Sequence, residues 1–430
     1  MPEIELHTSV EETVTCQDLP SITLKRINLG RKEIWTPIRN VFLNSYVPKV
    51  VKKEILSMRT KETIFEANRV IYRDKQYKSI KNALDENDDS KIRSLLGITE
   101  KLAKEGTSAV FSFSDFPQKK FASRFEDLLD AIHAFSEILF VPHVRYGRST
   151  KTAIEYDARS FCRYVDSAVK TFTEKNNKPV FVPFDLDFPA SMRDEVLSHY
   201  AKMGYTNIWV DFKGKGFDSR STIRKMRTFW RNATKLFDEN SKNLVIYQTN
   251  LRRIPRGVLG ENKIAPSDFT GVFDYGDFVG APFKGIIGYF DNSDYWKRKG
   301  YQSKEEFEQD LLRRATSIFD TGTYYYRPYD LVDLENKHIE KIKKGIAKLE
   351  DRWKAELAAN SINGLLTHFE TSTLRKEILN NGKIVDYLEK KDFFSNEGST
   401  LLDELLKTQK REEKGKSESK SLFDFDFSIG

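Results

Sequence analysis

Short apolar runs alternate with amphipathic stretches through the middle of the chain. AVFSFS (109–114), ILFVPHV (138–144), PVFVPFDL (179–186), NIWVDF (207–212), NLVIYQTN (243–250) and DFVGAPF (277–283) are brief and rich in β-branched and aromatic residues, which predicts strands. Between them, RFEDLLDAIHAFSE (124–137) sets Phe125, Leu128, Leu129, Ile132 and Phe135 on one helical stripe. SFCRYVDSAVKTFTE (160–174), SMRDEVLSHYAKMG (191–204), STIRKMRTFWRNATKLF (221–237) and FEQDLLRRATSIFD (307–320) have the same spacing, and 191–204 carries Ser191 at its start and Gly204 at its stop. Strand-then-helix recurs, and the strands are near-continuous apolar runs, the pattern of strands buried on both faces. Right-handed crossovers of this length build a parallel sheet, either closed or open and doubly wound. No Gly-rich phosphate loop follows any of the strands, which favours the closed form. The expected fold is therefore an α/β, (β/α)8 TIM-like barrel over 107–335.

The flanks differ in character. Residues 1–20 read as a flexible arm. Residues 21–106 hold two extended segments that turn at Gly30, then a polar, mostly helical insertion with a charged break at DENDDSK (85–91). A C-terminal helical region covers 336–407, with HIEKIKKGIAKLEDRWKAELAAN (338–360) as one helix. TQKREEKGKSESK (408–420) has the composition of a disordered linker, and the tail to 430 ends in SLFDFDFSIG.

Two cysteines, Cys16 and Cys162, exclude a disulfide framework and a four-cysteine metal site. The start MPEIELHTSV lacks a basic and an apolar stretch, so no signal peptide is expected, and no run is long and apolar enough for a membrane span. A cytoplasmic location follows as the expectation. The net charge of +7 is compatible with a polyanion partner and equally with a lysine-rich solvated surface.

Barrel chemistry sits at the C-terminal ends of strands. Those ends supply Asp115, His143, Arg145, Asp185, Asp187, Asp211, Lys213, Gln248, Thr249 and Asn250, and 271–282 adds Asp274 and Asp277. Spaced carboxylates serve as nucleophile, acid, base or stabiliser of an oxocarbenium-like centre. Each aspartate taken singly is also a plausible helix cap. The six histidines show no HxH or HExxH pairing, so no metal is expected. His143 alone among them stands at a strand end, and Cys162 lies on an apolar helix stripe.

Several of these segments, in this order, resemble the tRNA-guanine transglycosylase superfamily. They are RINLGRKEIWTPIRNVFLNS (26–45, with Gly30, Thr36 and Pro37), SDFPQ (114–118), 179–214, GVFDYGDFVGAP (271–282), TYYYRPYDL (323–331) and LLTHFETSTLRKEIL (365–379). The resemblance spans about 350 residues. It implies exchange of guanine for a 7-deazaguanine of the preQ0 or preQ1 type through an aspartyl-glycosyl intermediate. Carried onto this chain, Asp277 is the nucleophile and Asp115 the acid/base, while Asp185, Lys213, Gly214, Gln248 and His143 bind the base. Two departures stand out. The family's zinc-binding CxCxxC has no counterpart, so no cofactor is expected, and the glycines of its DSGG loop are missing around Asp115.

Arg220, Arg224, Arg227, Arg231, Arg252, Arg253 and Arg256 would hold phosphates. In the tail, Leu422, Phe423, Phe425 and Phe427 are similar to the short C-terminal motifs by which phage and bacterial replication proteins dock on a sliding clamp, or else pack back on the barrel. A clamp partner implies DNA as substrate, in the host cytoplasm if the chain is phage-borne, with tRNA as the alternative. Two rival expectations remain: a non-catalytic nucleic-acid-binding relative, and an unrelated barrel hydrolase of glycosides or nucleosides.

Overall fold

The computed structural model describes residues 6–145, 157–175, 178–217, 219–252, 263–282, 295–298, 300–332, 337–349, 351–396 and 398–406. The protein is a mixed α/β chain built on parallel strands with helices packed outside. Its first three strands, β1 (Thr8–Thr15), β2 (Thr23–Leu29) and β3 (Lys32–Thr36), form an antiparallel sheet. Gly30 makes the β2–β3 turn with φ of 62°. The expected flexible arm thus contains a strand. β1 has little apolar signal because most of its side chains face solvent, and backbone pairing to β2 holds it.

The parallel strands are β4 (Ile38–Arg39), β5 (Val41–Phe42), β6 (Phe65–Ile71), β7 (Thr107–Phe113), β8 (Leu139–Phe140), β9 (His143–Val144), β10 (Val180–Asp185), β11 (Asn207–Asp211), β12 (Val245–Thr249) and β13 (Phe278–Val279). One sheet has the order β4-β13-β12-β11-β10-β8 and the other β5-β6-β7-β9. The stretch 38–42 supplies an end strand to both, and so does the stretch 139–144. The parallel arrangement therefore begins near residue 38, well before the expected 107. β6 escaped the sequence pattern because Glu66, Asn68 and Arg69 interrupt its apolar run.

The principal helices are α1 (Phe125–Phe135), α2 (Ala158–Glu174), α3 (Ala190–Met203), α4 (Arg220–Phe237), α5 (Lys304–Ala315) and α6 (Arg352–Asn381). Two expected helices are shorter than anticipated. The segment 307–320 ends its helix at Ala315 and continues as β14 (Ile318–Asp320), which pairs with β15 (Tyr325–Arg327). The segment 338–360 breaks between Ile346 and Arg352, where Asp351 caps α6 by accepting from the Trp353 and Lys354 N–H groups.

Alternation along the strands explains the core. Ile38, Val110, Phe140, Phe181, Trp209, Val245, Tyr247 and Phe278 cluster with Ile27, Leu29 and Ile34 of the antiparallel sheet. Their neighbours in sequence, including Val182, Ile208, Val210 and Ile246, belong to a second cluster shared with the helices. Both faces of each parallel strand are thus buried, as the apolar runs require. Trp209 is fully buried and donates its indole N–H to the Val141 carbonyl at 3.0 Å.

Helix α6 lies across β4 and β5. Gly364 permits this approach: a Cβ there would stand 3.1 Å from the Phe42 nitrogen and 3.2 Å from the Val41 Cα. One turn on, His368 Nδ1–H donates to the Arg39 carbonyl at 3.0 Å, and Nε2 faces the hydroxyls of Thr60 (3.2 Å) and Thr63 (3.4 Å). Burial lowers the His368 pKa to about 4, against about 6.5 in an unfolded chain. The folded ring is neutral, and unfolding lets it take a proton between these values. Its contribution to stability is complete above about pH 6.5 and is lost as pH falls towards about 4, a span equivalent to about 3 kcal/mol. Denaturant titrations from pH 7 to 4 are expected to show this loss, with a flatter slope in His368→Gln. An unchanged slope in that variant would exclude the histidine as its source.

Candidate functional site

At their C-terminal ends the parallel strands change from apolar to polar. Asp185 closes β10 and Asp211 closes β11, and the two are register partners on neighbouring strands, roughly 4.8 Å apart along the sheet. Both are buried. Asp211 accepts from Arg145 Nε at 2.9 Å and Nη2 at 3.3 Å, from Ser112 Oγ at 2.8 Å, from Asn250 Nδ2 at 2.9 Å and from the Lys213 backbone N–H at 2.9 Å. Burial raises its pKa, but the Arg145 and His143 charges and these donors outweigh it and hold Asp211 well below the usual carboxylate range.

Asp185 faces His143 Nε2 at 3.2 Å, pairs with Lys213 Nζ, and accepts from the Asp187 N–H at 2.8 Å. Burial again raises its pKa, and His143 and Lys213 bring the balance below normal. Among the described residues the buried His143 Nδ1 has no hydrogen-bond partner. Phe161 and Trp209 meet the imidazole ring edge-on.

Local backbone geometry sets Lys213. It has φ of 53° and Gly214 has φ of 79°, two successive left-handed residues that fold the chain sharply after β11. Gly214 N–H donates to the Asn250 carbonyl at 2.9 Å. Just outside, Asp187 is held between Lys215, Lys225 (2.6 Å) and Lys213 (3.8 Å). Partial burial raises its pKa, yet the lysines bring it down to about 2.

A third buried carboxyl lies within the strands. Glu66 of β6 accepts from the Tyr247 hydroxyl, from Thr249 Oγ1 at 2.8 Å and from the Ala281 N–H at 2.8 Å. Burial dominates here and raises its pKa, with those three bonds and Arg39 opposing. Gly280 makes the space: a Cβ there would run into the Glu66 carboxyl and stand 2.7 Å from Thr249 Oγ1. Beside it, Asn68 donates to Asn250 Oδ1 at 3.0 Å and to the Pro282 carbonyl at 3.2 Å.

The structure thus brings together Asp185, Lys213, Gly214 and His143, and it separates others from them. Asp277 precedes its strand, level with Ile246 and three residues below the Thr249–Asp211 register, a displacement of about 10 Å. Its side chain leaves on the face away from Phe278 and is bonded to Lys25 Nζ at 2.9 Å, the Ile246 N–H at 2.7 Å and Thr36 Oγ1 at 3.3 Å. Burial raises its pKa despite Lys25. Asp115 does follow β7 on the polar side, but its carboxylate pairs with Lys120 at 3.3 Å, and Ser112 is the residue of that strand that reaches Asp211. Gln248 has opposite parity to Tyr247 and Thr249 and donates outward to the Asp274 carbonyl at 3.1 Å.

Of the arginines, Arg220, Arg224, Arg231 and Arg252 are exposed. Arg227 turns inward to Asp274 at 3.6 Å. Helix α4 runs from the polar ends towards the strand starts, so Arg220 and Arg224 stand near the site and Arg231 lies about 16 Å down the helix from Arg220. Arg253, Arg256, Leu422, Phe423, Phe425 and Phe427 lie outside the described residues.

Glu66, Asn68 and Ser112 were not singled out by sequence. Their one signal is polar residues at alternate positions of a strand, visible only once the strand is known. A cleft of about 300 Å³ between Gly30, Glu137, Lys178 and Pro179 lies at the other end of the strands, away from this convergence. Among the described residues no group of three or more His, Cys, Asp or Glu side chains is placed to hold a metal ion, and no helix is long and apolar enough to cross a membrane. No protein-family model matches the chain, and no curated protein matches it.

Asp277 balances a buried lysine, and its removal strands that charge. Asp277→Ala is expected to cost about 3–5 kcal/mol of stability, with much of it recovered in the Asp277→Leu, Lys25→Met pair. Urea unfolding measures both, and a loss under about 1 kcal/mol would return Asp277 to candidacy for chemistry.

Proposed function

We propose that the protein is a base-exchange transglycosylase that replaces guanine in a nucleic acid, DNA foremost, with a 7-deazaguanine, and that its chemistry belongs to the Asp185 side of the polar cluster. The carrying observation is the meeting of two ionised carboxylates, one histidine, one lysine and one arginine at adjacent strand ends. Guanine offers N1–H and N2–H donors on one edge and O6 and N7 acceptors on the other. Carboxylate oxygens match the first set, and Lys213 and Arg145 match the second.

Asp211 already accepts five hydrogen bonds and serves as the anchor. Asp185 is the group to attack C1′. In that step the C1′–N9 bond breaks, its electron pair goes to the purine, Lys213 supplies a proton to the leaving base, and a glycosyl ester forms on Asp185. The incoming base gives its N9 proton to the Lys213 amine as N9 displaces the carboxylate from C1′, which restores the ammonium and frees Asp185. Because an unpaired base is required, the substrate is a flipped or single-stranded guanine. Arg220, Arg224 and Arg252 take neighbouring phosphates.

The proposal includes a closed (β/α)8 barrel. It is supported by the stretches 38–42 and 139–144, each of which borders both parallel sheets, and by strand-end placement of the polar cluster. A second reading, a nucleic-acid-binding relative without exchange, is favoured by one observation: Asp277 and Asp115 both have structural partners away from the cluster.

Incubation with labelled guanine or preQ0 and with duplex DNA, single-stranded DNA or tRNA separates the two. Incorporation by the wild type, reduced at least about 100-fold in Asp185→Asn and retained in folded Asp277→Asn, is the expected result. No incorporation into any polymer, with salt-dependent binding intact, establishes the second reading instead.

A further inference from the structure

Near the same ends of the strands, outside the cluster just described, two aromatic side chains are half exposed and in contact. Tyr46 is 42% and Trp353 46% exposed, with ring centroids 5.4 Å apart. Val50, 58% exposed, is the second residue of the helix Lys49–Ser57 that follows Tyr46. Contiguous exposed apolar surface rimmed by polar residues marks contact sites.

Position along the fold is set by α6. Its residues meet the first parallel strands in reverse order: Gly364 lies at Phe42, His368 binds the Arg39 carbonyl, and Arg375 binds the Pro37 carbonyl at 2.8 Å. The helix therefore runs antiparallel to β4 and β5, and its first turn, with Trp353, lies beyond their C-terminal ends. Tyr46 follows β5 by four residues. The ring pair thus lies beyond the C-terminal end of β5, whose neighbour β6 carries Glu66 and Asn68.

The surroundings are basic. Lys49, Lys53, Lys101 and Lys354 are exposed. Lys52 donates to the Ser45 carbonyl at 2.9 Å, and burial together with the charges of Lys49 and Lys101 lowers its pKa. Of the acidic neighbours, Glu54 pairs with His338 at 2.6 Å, and Asp351 caps α6 and pairs with Lys354 at 3.7 Å on the exposed surface.

We propose that Tyr46 and Trp353 form a stacking platform for an unpaired nucleobase flanking the reacting nucleotide, with Lys49, Lys53 and Lys354 on the adjoining phosphates. Exposed aromatic faces beside cations are the recurring chemistry of single-strand binding, tolerant of sequence because every base has a π-face. The platform rests on the nucleic-acid reading above and specifies the form of polymer, single-stranded over duplex.

Oligo(dT) is the suitable probe, because it carries no guanine for the polar cluster. Fluorescence anisotropy of a labelled twelve-nucleotide oligo(dT) against the full chain is expected to show salt-dependent binding. Affinity should fall at least about tenfold in the Tyr46→Ala, Trp353→Ala variant and stay within about threefold of wild type in Trp353→Phe. Unchanged affinity in the double variant overturns the platform, assigns the rings to a protein partner, and leaves the exchange reading intact. Loss of oligo(dT) binding in that variant from a wild type that exchanges no base supports the platform and overturns exchange alone.

Discussion

Everything in this structure depends on parallel strands that are buried on both faces. A strand between helices on one side and other strands on the other has no solvent to satisfy stray polar groups, so its interior positions must be apolar or fully bonded. Phe140, Phe181, Trp209, Tyr247 and Phe278 meet the first condition. Ser112, Asp185 and Asp211, near the C-terminal ends of their strands, meet the second, as does Glu66 near the start of β6. The same constraint that packs the lower part of the strands forces the polar residues above into one dense hydrogen-bonded group.

That group is ordered by charge. Asp211 collects Ser112, Arg145, Asn250 and the Lys213 N–H, and Asp185 is left with His143, Lys213 and the Asp187 N–H. A cluster with an anchored carboxylate beside a less saturated one has the asymmetry that distinct chemical roles require. Asp277 shows the contrary use of the same residue type. Placed before its strand, it neutralises Lys25 and caps the Ile246 N–H, so it joins the antiparallel sheet to the strand starts.

Legibility varied with what each element buries. Strands β7, β10, β11 and β12 and helices α1 to α4 were visible because their apolar positions follow the period of the element that they form. β6 was not, since two of its interior positions carry Glu66 and Asn68 for the site, and function erased the pattern that would have announced the strand. Gln248 and Thr249 are adjacent in sequence and equally polar. Only the parity fixed by Tyr247 shows that Thr249 looks inward and Gln248 outward.

From the amino-acid order alone came the alternation of strands and helices, the burial of strands on both faces, and the candidacy of His143, Asp185 and Lys213, because these follow from local periodicity and from residues that end apolar runs. Tertiary structure alone decided which carboxylates meet. Asp185 and Asp211 are 26 residues apart and become register partners, whereas Asp277 enters its strand at the opposite end. Sequence distance carries no information about strand register or end, and those two quantities determine which charges share a site.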